Sequence, residues 1–173
     1  YGMRMMAERL PELVIASSCS KNFGLYRERT GSIPFIAETP EHADIVLSQA
    51  MSTARSIYSM PPAHGALLVS MVLGDDQLRA DWQAELEATR LRIKSMRTLL
   101  CDSIQDNEAG LDFSHIKEQK GMFSFLGITS LQLERLRDEF GIYIVSSTRI
   151  NLAGVNSNNI DYLSQSMLTV LKP

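Results

Sequence analysis

A chain of 173 residues, 45% hydrophobic and 21% charged, is long enough to bury a core and has ordinary globular composition, which excludes a disordered tail. A net charge of -3, a sequence pI near 5.6 and no block of basic residues argue against nucleic acid or an anionic membrane as partner, and leave a small ligand. Two distant cysteines, Cys19 and Cys101, in neither metal-ligand nor disulfide spacing, and no apolar run near the roughly 20 residues of a membrane span, predict a soluble, cytoplasmic protein without a metal site.

The chain opens without Met inside a predicted helix whose apolar residues Met3, Met6 and Leu10 share one face, so a fragment of a longer protein is expected. After Pro11, the apolar run Leu13 to Ala16 reads as a buried strand, and Ser32 to Ala37 as a second, with Pro34 favouring an edge. Thr39 is a cap for a helix with Pro40 at its first position, running to about Tyr58, where Ser59-Met60-Pro61-Pro62 breaks it. An apolar helix is predicted from Ala63 to Leu73.

A long amphipathic helix follows, from about Asp76 to Asp106. In it Leu78, Trp82, Leu86, Ile93, Met96, Leu100 and Ile104 recur at helical spacing, while Arg90, Arg92, Lys94 and Arg97 read as a solvated face. Beyond Gly110 the elements shorten: strands at Met122 to Leu126, Ile142 to Val145 and Arg149 to Leu152, and helices at Leu131 to Phe140 and Ile160 to Leu171.

The chemistry concentrates in Ser18-Cys19-Ser20-Lys21, with Arg29 eight positions on and Gly31 after it. A lysine directly after a strand, flanked by small hydroxyl residues, can be held partly desolvated so that its neutral amine condenses with an aldehyde. Ser18, Ser20 and the Arg29 guanidinium together offer a phosphate two hydroxyl donors and a bidentate fork. On spacing alone, a solvated turn is the commoner reading of a serine-rich loop.

The stretch SCSKNFGLYRERTG resembles the pyridoxal-phosphate attachment signature of class I (fold-type I) aminotransferases, aspartate/aromatic subgroup. Cys19 and Thr30 depart from the commonest form of that signature. YSMPPAHGA, KGMFSF, LRDEFGIY and SSTRINLAG look like successive landmarks of the same family, so the resemblance covers essentially the whole chain.

What the resemblance implies is an α/β fold: the C-terminal part of the large pyridoxal-phosphate-binding domain over residues 1–75, a linking long helix over 76–106, and a small α+β C-terminal domain over 107–173. It implies Lys21 as tether of pyridoxal 5'-phosphate and as general base, with Ser18, Ser20 and Arg29 holding the phosphate. It further implies Arg149 as the partner of the substrate α-carboxylate, Arg55 as a side-chain carboxylate binder reaching across a homodimer interface, and Phe123 as a pocket aromatic. Tyr26 and Tyr58 could also face the site; the histidines at 42, 64 and 115 carry no role.

The expected reaction is transamination of an aromatic or acidic L-amino acid with a 2-oxo acid such as 2-oxoglutarate, in the intact enzyme. Residues implied upstream of Tyr1 contact the cofactor ring, so this stretch alone is expected to have little activity. Two other readings stay open: another fold-type I pyridoxal-phosphate enzyme, and a truncated, non-catalytic domain.

Overall fold

The computed structural model describes residues 2–172, and the chain divides between Ala84 and Glu85 into two compact units. The first unit opens with helix α1 (Gly2–Arg9), followed by strands β1 (Leu13–Val14), β2 (Ser17–Ser18), β3 (Gly31–Ser32) and β4 (Phe35–Ile36). β1 pairs antiparallel with β4 and β2 with β3, so one hairpin closes around residues 19–30. The first expected strand, Leu13 to Ala16, pairs only over Leu13–Val14, and the second, Ser32 to Ala37, is interrupted at Ile33 and Pro34, where Pro34 has no N–H to give the ladder; its carbonyl still accepts from the Ile15 N–H at 3.0 Å. The expectation of a buried first strand is corrected: Val14 is 58% exposed, since alternate residues of a two-stranded ribbon face opposite sides.

Helix α2 (Pro40–Tyr58) begins as expected, with the Thr39 side chain accepting from the His42 N–H at 3.2 Å. It ends at Ser59, whose φ of 65° turns the chain out of the helix. Helices α3 (His64–Gly74) and α4 (Asp76–Ile104) follow; the Asp75 carboxylate starts α4 by accepting from the Gln77 and Leu78 N–H groups, each at 2.9 Å. Across α2 and α3, Gly65 is the one buried residue. Many of their apolar side chains, Met51 and Met71 among them, stay exposed, while Val46, Leu68, Val69 and Val72 are half-buried.

The second unit holds the rest of α4, α5 (Ser114–Glu118), β5 (Phe123–Phe125), α6 (Ser130–Phe140), β6 (Arg149–Asn151), a 3-10 turn (Leu152–Gly154) and α7 (Ile160–Val170). β5 and β6 pair antiparallel, with Ser124 opposite Ile150. Leu100, Ile104, Phe113, Ile116, Leu136, Leu152 and Met167 are sealed between the helices and this ribbon. Burial of each such side chain contributes about 1.5–3 kcal/mol. Helix α6 is closed at both ends, by a Thr129–Gln132 capping box and by Gly141 in the left-handed conformation.

Two sequence expectations fail in this unit. Ile142 to Val145 is extended but pairs with no strand; Ile142 and Ile144 pack on the core while Tyr143 points out, so the side-chain alternation is that of a strand without a ladder. Arg97 does not lie on a solvated face: it is 2% exposed, and its guanidinium donates to the carbonyls of Ile116 at 2.9 Å, Gly121 at 2.8 Å and Phe123 at 2.8 Å, and to Ser124 Oγ. Desolvation lowers its pKa from the ordinary guanidinium value. Arg92 is also a tether, donating to the carbonyls of Val155 at 3.1 Å and Ala153 at 3.0 Å.

Candidate active site

The hairpin loop between β2 and β3 gathers four of the expected site residues. Ser18 Oγ donates to Ser20 Oγ at 3.0 Å and accepts from the Ser20 N–H at 3.1 Å, so two hydroxyls stand side by side at the strand exit. The Cys19 N–H donates to the Thr30 carbonyl at 2.9 Å, and the Phe23 N–H to the Cys19 carbonyl at 3.2 Å, closing the turn that presents Lys21. Lys21 Nζ lies 4.0 Å from the centre of the Tyr26 ring. The guanidinium of Arg29 donates to the Tyr26 carbonyl at 3.2 Å. Tyr26 therefore contacts both Lys21 and Arg29.

Lys21 is exposed, where partial desolvation was expected. Arg29 has φ 50°, a left-handed backbone that side-chain-bearing residues rarely adopt and that is held at a cost of about 1–3 kcal/mol. The loop behind it is fixed against the start of α3: a Cβ on Gly65 would stand 2.0 Å from Thr30 Oγ1 and 2.7 Å from Glu28 Cβ, so only glycine permits this approach. His64 Nδ1 adds a contact of 3.2 Å to the Glu28 carboxylate.

The other end of the turn is held by α4. The Trp82 indole stacks on Phe23, centroid to centroid 4.6 Å and 12° apart in plane, and its N–H donates to the Asn22 carbonyl at 2.7 Å. Sequence periodicity gives Trp82 only a place on the apolar face of a helix, because a carbonyl acceptor leaves no mark in a sequence.

In the second unit the structure brings Arg149 and Phe123 together. The guanidinium carbon of Arg149 lies 4.8 Å from the centre of the Phe123 ring. Both line a cleft of about 470 Å³ with Tyr143, Ile144, Asn151 and Asn159. The residue before Arg149, Thr148, has φ 61°; its N–H donates to the Val145 carbonyl at 2.8 Å and its carbonyl accepts from the Leu126 N–H at 3.0 Å. That local turn aims Arg149 out of the ribbon.

Arg55 sits exposed in the last turn of α2, near the exposed Tyr58. Among the described residues, no carboxylate lies within ion-pair distance of Arg29, Arg55 or Arg149. Three guanidinium groups with no acidic partner are suited to anionic ligands. His115 is taken up structurally, its Nε2 lying 2.9 Å from the Phe125 carbonyl. Among the described residues no helix is long and apolar enough to cross a membrane.

The sequence profile of the family "Aminotransferase class I and II" matches residues 1–167. An aspartate aminotransferase of Haemophilus influenzae is 49% identical over 171 residues, covering 99% of this chain and 43% of the relative. An aromatic-amino-acid aminotransferase of Pseudomonas aeruginosa is 42% identical over 170 residues, covering 98% of this chain and 43% of its own length. Among solved structures, an aromatic amino acids aminotransferase from Psychrobacter sp. B6, cocrystallised with aspartic acid, superposes with a TM-score of 0.93 at 44% identity, over 100% of this chain and 44% of that one. The aromatic-amino-acid aminotransferase of Burkholderia pseudomallei, described as covalently bound to pyridoxal phosphate, gives 0.92 at 42% identity, over 98% and 43%. The chain thus spans less than half the length of the relatives it matches.

Proposed function

The chain belongs to the class I and II aminotransferase family, and from that premise we propose that the protein it forms part of is a pyridoxal-phosphate-dependent aminotransferase acting on acidic or aromatic L-amino acids with a 2-oxo acid. The observation that carries the reading is the β2–β3 loop. It sets the paired Ser18 and Ser20 hydroxyls, Lys21 and Arg29 around one tyrosine, Tyr26.

A phosphate fits that donor set. Ser18 and Ser20 supply hydroxyls 3.0 Å apart, and Arg29 supplies a charged fork. Pyridoxal phosphate bound there would supply an electron sink for charge developing at the substrate Cα. Lys21 would tether that group, and its amine would act as the general base that takes and returns the Cα proton. Arg149 grips the α-carboxylate and so restricts the orientation of the bound amino acid. Phe123 places its ring 4.8 Å from that guanidinium carbon, where it would line the same end of the pocket. Arg55 offers a second carboxylate site, which suits aspartate and glutamate.

We further propose that residues 1–75 complete a large domain, that 76–106 link it to a small α+β domain of residues 107–173, and that the intact enzyme is a homodimer in the cytoplasm. The exposed Met51, Ile57 and Met60 around Arg55 support an interface there, and the free thiols of Cys19 and Cys101 suit a reducing compartment.

The test is a steady-state assay of the full-length protein with aspartate, glutamate, phenylalanine and tyrosine against 2-oxoglutarate. Amino-group transfer with ping-pong kinetics, abolished by Lys21→Ala, is expected. Absence of transfer with all four overturns the reading.

A further inference from the structure

Lys21 sits in an exposed turn of the first unit. The turn is held on its N-terminal side by the Phe23 N–H bond to the Cys19 carbonyl, the Cys19 N–H bond to the Thr30 carbonyl and the Ser18–Ser20 pair, and Lys21 Nζ lies 4.0 Å from the centre of the Tyr26 ring. On its C-terminal side the hold comes from 60 residues away. Trp82 lies in the second turn of α4, a helix whose first turn is fixed by the Asp75 cap and by the Gln77 side chain donating to Asp81 at 2.9 Å. From that rigid base the indole makes two contacts of different kinds on consecutive residues: its N–H donates to the Asn22 carbonyl at 2.7 Å, and its ring stacks on Phe23 at 4.6 Å. One holds the Asn22–Phe23 peptide unit, one residue beyond Lys21, and the other holds the Phe23 side chain. A hydrogen bond and a stacking plane together restrain the main chain where it leaves Lys21.

We propose that Trp82 is a positioning residue for Lys21, holding the Asn22–Phe23 backbone that directly follows it so that the lysine amine swings from a fixed base during proton transfer. It touches neither cofactor nor substrate, and it rests on the reading of Lys21 as tether and proton carrier. An amine that must reach both ends of a proton transfer within about half an ångström is sensitive to a loosened main chain, and misplacement by 1 Å costs about a hundredfold in rate.

The test uses the full-length holoenzyme with Trp82→Phe, which keeps the stacking plane and loses the N–H, and Trp82→Ala, which loses both. Expected are falls in kcat of about tenfold and about a hundredfold, with KM for amino acid and oxo acid within about twofold. The isotope effect with Cα-deuterated amino acid rises in the same order, because proton transfer by Lys21 becomes slower relative to the other steps. Labelling of Lys21 by pyridoxal phosphate and borohydride, measured on the apoenzyme, slows in parallel.

Unchanged kcat per labelled site and an unchanged isotope effect in Trp82→Phe overturn the proposal, whatever Trp82→Ala does to solubility or melting temperature. If the wild-type protein itself neither transfers amino groups nor labels at Lys21, the functional reading falls instead, so the two failures are told apart.

Discussion

The guanidinium carbon of Arg149 lies 4.8 Å from the centre of the Phe123 ring, on neighbouring strands whose register sets Phe125 opposite Arg149 and Phe123 opposite Asn151. Removing the charge and removing the ring therefore have separate consequences. On the proposed role of Arg149, Arg149→Ala would delete one partner of a charged hydrogen-bonded pair with the substrate, a loss of about 2–5 kcal/mol, or about 30- to several-thousand-fold in kcat/KM. Phe123→Leu deletes a partly exposed cation–π contact of about 0.5–1 kcal/mol, and KM rises about two- to fivefold. Steady-state kinetics of the full-length variants check both values.

Arg97 predicts a stability effect. Arg97→Met leaves the carbonyls of Ile116, Gly121 and Phe123 without their donor inside the second unit. Unsatisfied buried acceptors cost about 1–3 kcal/mol each before relaxation, so the urea midpoint falls by a large part of total stability. Arg97→Lys, with one point charge in place of a fork, recovers only part. Equilibrium urea unfolding followed by circular dichroism measures the shift.

Gly65 predicts an effect on cofactor affinity. A Cβ there would meet Thr30 Oγ1 at 2.0 Å and must push away the loop that carries Arg29. Gly65→Ala is expected to cost about 1–3 kcal/mol in overpacking and to weaken binding of pyridoxal phosphate, measured by fluorescence titration of the full-length apoenzyme. The double variant with Thr30→Ala, which removes the nearest atom, restores part of the affinity.

Acid predicts the unfastening of α5. The Asp112 carboxylate accepts from the Ser114 N–H at 2.8 Å and from Ser114 Oγ at 2.9 Å, and these bonds, the backbone one first, hold its pKa below the ordinary 3.8. A carboxylate with a depressed folded-state pKa contributes stability above its unfolded value and loses it as pH falls through the folded one. The contribution is thus intact at neutral pH and vanishes below about pH 3.8. Asp112→Asn flattens the stability profile in that window, as thermal melts from pH 2 to 5 would report.

Much of the chain was legible because the signals were local. Thr39-Pro40 marked the start of α2, Gly141 the end of α6, and the apolar spacing of α4 and α7 their extents. The Ser18-Cys19-Ser20-Lys21 loop and Arg29 were legible as a group because they are close in sequence, and the hairpin then closes around them.

What escaped rests on partners that leave no pattern. Arg97 looks like any surface arginine, since three of its acceptors are main-chain carbonyls. Trp82 and Gly65 act on loops 60 and about 35 residues away, and nothing in their own neighbourhoods announces it. Ile142 to Val145 has a strand's alternation without a strand's partner. The left-handed Arg29 and Thr148 carry none of the glycine or asparagine that usually marks such backbone.

The central claim is that Lys21 carries the cofactor. Its most direct test is to load the full-length protein with pyridoxal phosphate, reduce with borohydride, and map the modified peptide by mass spectrometry. The account predicts one label per chain, on Lys21, lost in Lys21→Ala and weakened in Arg29→Ala. Labelling scattered over surface lysines, or confined to a lysine other than Lys21, would contradict it.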